Sequence, residues 1–202
     1  MKQIGLSVAV AVGLASLSSL SLAHEAGDFI LRAGVASVQP DAKPHGTLDA
    51  LNADVDNGTA LGITAAYMVS DVVAIELLAA SPFKHDITSN GSKIGEASQL
   101  PPTVSLQYMP ELELGGFQPY VGIGINYTTF FDEDSSLGKL KLDDSWGIAW
   151  QVGFDYQVQD QWLVNAAIWN IDIESDATLN GASIGSVDID PWVYMLGVGY
   201  RF

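Results

Sequence analysis

Apolar and polar positions alternate along most of this chain. In the last eleven residues Trp192, Tyr194, Leu196, Val198, Tyr200 and Phe202 share one parity, while Val193, Met195, Gly197, Gly199 and Arg201 share the other. Successive strand side chains point to opposite faces, so one face here is wholly apolar and carries aromatics at both ends. A wall touching lipid between two aromatic girdles has this composition. The competing reading, an edge strand of a soluble β-sandwich, does not call for six lipid-type side chains on one face. Seven earlier segments repeat the alternation, near Asp28–Gln39, Thr59–Val69, Val72–Lys84, Gln99–Tyr108, Phe117–Phe131, Ser145–Gln157 and Gln161–Ile173, and the eighth runs from Val187 to Phe202. Each is at least as long as the ~9–11 residues of a tilted membrane strand.

Most faces sort cleanly. Leu31, Ala33 and Val35 lie together in the first segment, Leu61, Ile63 and Tyr67 in the second, and Trp146, Ile148, Trp150, Val152, Phe154 and Tyr156 in the sixth. The seventh is ambiguous, because Trp162, Val164, Ala166 and Ile168 compete with Leu163, Ala167, Trp169 and Ile171. Asn165 decides it, since an amide facing lipid is costly. Open strand edges are not tolerated in a bilayer, so the eight strands are expected to close into an antiparallel up-and-down transmembrane β-barrel. Val35 and Leu196 then lie on neighbouring strands.

The connections alternate in length: long over Pro40–Gly58, short at Ser70-Asp71, long over His85–Ser98, medium over Met109–Gly116, long over Asp132–Asp144, short over Val158–Asp160 and long over Glu174–Ser186. Membrane barrels have long outer loops and short periplasmic turns, which places both termini in the periplasm. A lipocalin-type soluble barrel also alternates, yet would not expose Trp150, Phe154, Tyr194 and Tyr200.

An apolar run from Ile4 to Leu22 follows Lys2 and ends in Ser21-Leu22-Ala23, a small-x-small cleavage motif. The expected domains are a signal peptide over residues 1–23 and a single barrel over 24–202. Without Lys2, seven basic residues face twenty-four acidic ones, a net charge of −17. That excludes nucleic acid as a partner, for no basic patch replaces phosphate counterions. There is no cysteine, so something other than cross-links holds the fold together, which a closed barrel can do.

The residues resemble one family, the OmpW-type small outer-membrane proteins. The matching stretches are His24-Glu25-Ala26-Gly27-Asp28, Leu100-Pro101-Pro102-Thr103, Pro119-Tyr120-Val121-Gly122 with Gly124-Ile125-Asn126-Tyr127, Asp144-Ser145-Trp146-Gly147, and Asp190-Pro191-Trp192 leading to Gly199-Tyr200-Arg201-Phe202. The outer stretches Asn90–Ala97 and Thr178–Ser186 match no family pattern, so receptor roles that depend on loops do not carry over. The resemblance implies a monomeric eight-stranded barrel of the outer membrane, with a narrow, partly apolar lumen that passes small hydrophobic molecules. It also implies that Phe202 ends an assembly signal read by the barrel-assembly machinery. Outer-membrane lipid and lipopolysaccharide are the other expected partners. A non-transporting structural or surface-interaction protein is the alternative.

Catalytic chemistry finds little support. His85-Asp86 beside Ser89 or Ser92 is the sole candidate for an acyl-transfer site, and a histidine in a polar loop is ordinarily just solvated. Asp132-Glu133-Asp134 with Gly138 misses calcium-loop spacing by one residue. With Asp143, Asp144, Asp188 and Asp190 these acids read as a solvated rim. No metal or cofactor is expected.

Parity turns Arg32 and Glu76 inward at similar depth, which predicts an ion-paired plug. Leu78 and Trp169 also face inward a little higher, as an apolar constriction. Pro82 near the end of the third segment and Pro101 and Pro102 at the start of the fourth lack ladder donors. They are expected to flank one weak seam near the outer leaflet, with Leu100 beside them. An apolar solute resting above Leu78 and Trp169 would leave sideways through that seam.

Overall fold

The computed structural model describes residues 24–112 and 114–202; the signal peptide expected over residues 1–23 lies outside them. In chain order the elements are β1 (Phe29–Gln39), β2 (Lys43–Pro44), α1 (Thr47–Ala50), β3 (Ala53–Val55), β4 (Gly58–Ser70), β5 (Val73–Ala80), β6 (Phe83–Ser89), β7 (Ser92–Leu100), β8 (Thr103–Tyr108), β9 (Phe117–Ser135), β10 (Leu140–Leu142), β11 (Ser145–Gln159), β12 (Trp162–Ile171), β13 (Glu174–Leu179), β14 (Ala182–Asp188) and β15 (Trp192–Arg201). Eight of them close an antiparallel barrel in the order β11-β12-β15-β1-β4-β5-β8-β9, with β9 returning to β11. First strand meets last, and Val35 lies opposite Leu196.

The alternation in sequence becomes the two faces of this wall. Leu61, Ile125, Val152 and Leu196 stand exposed on the outside, while Arg32, Glu76, Gln107, Gln151 and Asn165 are buried inside. On β12, Trp162, Val164 and Ile168 face out and Leu163, Ala167 and Trp169 face in, as Asn165 required. Aromatic rings gather at two levels. Tyr127 packs against Trp146 at one end, and Trp162, Tyr200, Phe202 and Phe29 cluster at the other. Ten residues separate Trp146 from Tyr156 on β11; at about 3.3 Å each and a tilt of ~40° they span roughly 25 Å, the height of an outer-membrane apolar band.

The long outer connections are corrected by the structure: they are folded. His85–Ser98, expected as a loop, belongs to the β6–β7 hairpin, which β3 and the extended top of β9 flank in the order β3-β6-β7-β9. Glu174–Ser186 is the β13–β14 hairpin, in a second small sheet β10-β13-β14-β2. Both hairpins turn on Asn-Gly, with positive φ at Asn90 and Gly91 and at Asn180 and Gly181. Two consecutive positive φ angles make the tight turn whose twist suits paired strands, and Asn-Gly is its strongest sequence signal. Three segment ends move as well. The third breaks at Ser81-Pro82, the fourth pairs in the barrel only from Thr103, and Val187 and Asp188 belong to β14 rather than to the last barrel strand.

Candidate functional site

A polar layer fills the lower lumen. Arg32 on β1 donates from Nη1 to Glu76 Oε2 on β5 at 3.1 Å, and from Nε and Nη2 to both oxygens of Asp155 on β11. Around this triad, Gln151 Nε2 donates to Glu76 Oε1 at 2.9 Å, Gln107 Nε2 to Gln151 Oε1 at 3.0 Å, and Asn165 Nδ2 to Asp155 Oδ1 and to the Tyr120 hydroxyl, each at 2.9 Å. The guanidinium lies 5.1 Å from the centre of the Tyr120 ring. Gly153 makes room for that ring, for a Cβ there would stand 2.5 Å from it. The expected Arg32–Glu76 pair is present, but Asp155 was missed. Its inward parity was visible in the sequence; its depth, set by stagger across several strands, was not.

Above the layer, Leu78 and Trp169 border a small void of about 10 Å³ together with Ala80, Phe83, Pro101 and Met195. Trp169 is buried, and its Nε1–H has no partner.

The wall beside this void is incomplete. The β5–β8 ladder ends at Leu78 opposite Thr103, and pairing resumes between β6 and β7 with Phe83 opposite Gln99. Between these pairs Ala79 and Ala80 pair with β4 alone. Pro101 and Pro102 lie across from them and offer no N–H. Their carbonyls are held from their own side of the wall, Pro102 O by Tyr127 N at 3.0 Å and Pro101 O by the Thr103 hydroxyl at 3.2 Å. Pro82 lies between β5 and β6, and Leu100 ends β7, where it pairs with Thr129 of β9.

Over the gap stands the upper storey, which encloses a cavity of about 110 Å³. Its lining includes Leu48 of α1, Val55 of β3, Ile87 of β6, Phe130 of β9, Leu142 of β10 and Ile184 of β14. Phe130 packs against both this outer cluster and the barrel core beneath, so it marks the boundary between them.

His85 and Gln99 are the buried polar side chains on that cavity. His85 Nδ1 lies 2.7 Å from the Asp56 carbonyl, which only accepts, so Nδ1 carries the proton and Nε2 accepts from Gln99 Nε2 at 3.0 Å. No serine reaches the ring. Ser89 donates to the Leu51 carbonyl and Asp86 pairs with Lys93, so the structure does not assemble the acyl-transfer trio. The rim acids are dispersed: Asp144 accepts from the Tyr127 hydroxyl, Asp188 pairs with His45 and Asp190 with Lys43.

Burial holds the His85 imidazole below its ordinary 6.5, against the opposing pull of the Asp56 carbonyl. The unfolded ring therefore takes up its proton at a higher pH than the folded one, and stability present above 6.5 is lost as pH falls below it. Amide protection in the β6–β7 hairpin should weaken between about pH 7 and about pH 5, and His85→Gln should flatten that dependence. Equal protection at both pH values would show that His85 does not hold the storey together.

Residues 25–202 match the model of the OmpW family. The chain belongs to that family. It is 45% identical to outer membrane protein W of Vibrio cholerae, over 94% of this chain and 97% of that one. The crystal structure of OprG from Pseudomonas aeruginosa superposes with a TM-score of 0.80 at 43% identity, covering 89% of this chain and 98% of that one. The solid-state NMR structure of outer membrane protein AlkL in DMPC lipid bilayers gives 0.71 at 27% identity, covering 93% and 96%. This OmpW-family barrel is thus an outer-membrane protein. One family-like stretch has a plain physical reason: a Cβ at Gly147, beside Trp146, would stand 1.8 Å from the Asp172 carbonyl oxygen.

Proposed function

We propose that this barrel passes small apolar molecules from the cell exterior, through the upper cavity, and sideways through the gap between β5 and β8 into the outer leaflet. The observation that carries this reading is the apolar cavity standing over a sealed polar layer, with an unpaired stretch of wall between them. A solute going straight down would have to part Arg32 from Glu76 and Asp155 while offering nothing in exchange, which leaves a buried charge unpaired. A sideways step breaks no ladder bond.

In this reading Arg32 and Glu76 plug the lumen, Leu78 and Trp169 form the floor on which the solute rests, and Pro82, Leu100, Pro101 and Pro102 frame the exit. Phe202 ends the strand presented to the assembly machinery, and the protein carries out no covalent chemistry. The upper storey faces outward and both termini face the periplasm. Supporting that orientation, two of the three connections at the opposite end are brief turns, at Asp71-Val72 between β4 and β5 and at Asp160-Gln161 between β11 and β12, and the third, over residues 109–116 between β8 and β9, is shorter than the outer hairpins.

The sealed layer also favours a second reading, a structural barrel that transports nothing. Uptake of alkanes and of polar solutes of equal size, into cells with and without the protein, separates the two. Faster entry of the apolar compounds alone is expected. Rates that ignore the protein would leave the structural reading standing.

A further inference from the structure

Two buried polar atoms on this route have no partner. Gln99 Oε1 belongs to a side chain on the upper cavity, and Trp169 Nε1 to one on the lower void. The remaining unpartnered buried side-chain atoms among the described residues belong to Gln107 and Asn165 in the polar layer, and to His24 and Gln157 toward the periplasmic end. Neither orphan on the route is removed by reorienting its group. The Asp56 carbonyl fixes the proton on His85 Nδ1, His85 Nε2 must then face the Gln99 NH₂, and the amide oxygen is left over. The indole N–H of Trp169 can only donate. The two lie in sequence along the path, because Gln99 is paired directly with Phe83, which lines the lower void.

An acceptor and a donor left bare in apolar surroundings penalise any occupant that meets neither. A hydrocarbon meets neither. A hydroxyl meets both in turn, donating to Gln99 Oε1 above and accepting from Trp169 Nε1 below. Building on the transport reading, we propose that the route selects molecules with an apolar body and one hydroxyl group, such as small phenols and alkanols, over hydrocarbons of the same shape. Gln99 and Trp169 are the specificity-determining residues.

Phenol and toluene share a shape and differ by hydroxyl against methyl. Each is titrated into the barrel in lipid nanodiscs, with partition into protein-free nanodiscs subtracted, while the tryptophan indole N–H signals are followed by NMR. The Trp169 signal is identified by its loss in Trp169→Phe. Phenol is expected to bind about tenfold more tightly than toluene, the effect of one net hydrogen bond, and to shift the Trp169 indole proton downfield. Gln99→Leu combined with Trp169→Phe should bring the ratio to about one. Equal binding to the native barrel, as expected if only ordered water meets these atoms, overturns the selectivity and leaves apolar transport intact. A ratio that survives the double substitution also overturns it. Failure of both compounds to bind removes the transport reading and this proposal together.

Discussion

Replacing Arg32 with methionine is expected to lower the folding stability of the barrel by roughly 3–5 kcal/mol, the loss typical of breaking a buried ion pair from one side. The guanidinium contacts both Glu76 and Asp155, and all three side chains are buried. Its removal strands two carboxylates in a narrow, low-dielectric lumen. The largest part of the loss is that uncompensated charge rather than the lost attraction. Arg32→Met combined with Glu76→Leu and Asp155→Leu should therefore regain most of the stability, for an apolar triad of similar volume removes the charges along with their partner. Urea unfolding midpoints in lipid vesicles read both effects. A single variant as stable as the parent would mean that water reaches the layer and that it does not seal the lumen.

Cysteines at Ala80 and Pro101, oxidised to a disulfide, are expected to all but abolish uptake of apolar solutes, and reduction should restore it. Both residues border the lower void and lie on opposite flanks of the gap. Because the wall is paired at Leu78–Thr103 below and at Phe83–Gln99 above, the flanks are held near the ~5 Å spacing of adjacent strands, within reach of a disulfide. The cross-link supplies the tie that the prolines deny. Pairing on either side is left alone, so the barrel itself should survive. An oxidised barrel that transports at the parental rate would show that solutes do not leave between β5 and β8.

Particular residues show how far the sequence could be read. The parity of Asn165 placed the whole inner face of β12, because a one-residue slip would have turned Trp169 and an amide outward together. An interruption of strand pairing near Pro101 and Pro102 was legible, since a missing N–H is a property of the residue itself. Asn90-Gly91 and Asn180-Gly181 carried an equally local hairpin signal, and the length of the surrounding connections obscured it.

Alternation with period two is a local property, and in lipid it leaves only closure for the strand edges; the amino-acid sequence alone therefore determined eight strands, their inner and outer faces, and the meeting of first with last. Depth is not local. Whether Asp155 on β11 stands level with Arg32 on β1 depends on the stagger accumulated through β12 and β15, and that stagger is a sum over every pairing register around the barrel. The upper cavity is likewise assembled from α1, β2, β3, β6, β7, β9, β10, β13 and β14, whose side chains meet only after two hairpins have folded over the rim. Tertiary structure decided both the buried polar layer and the apolar chamber above it, because each is made of residues far apart in the chain that share only a height along the barrel axis.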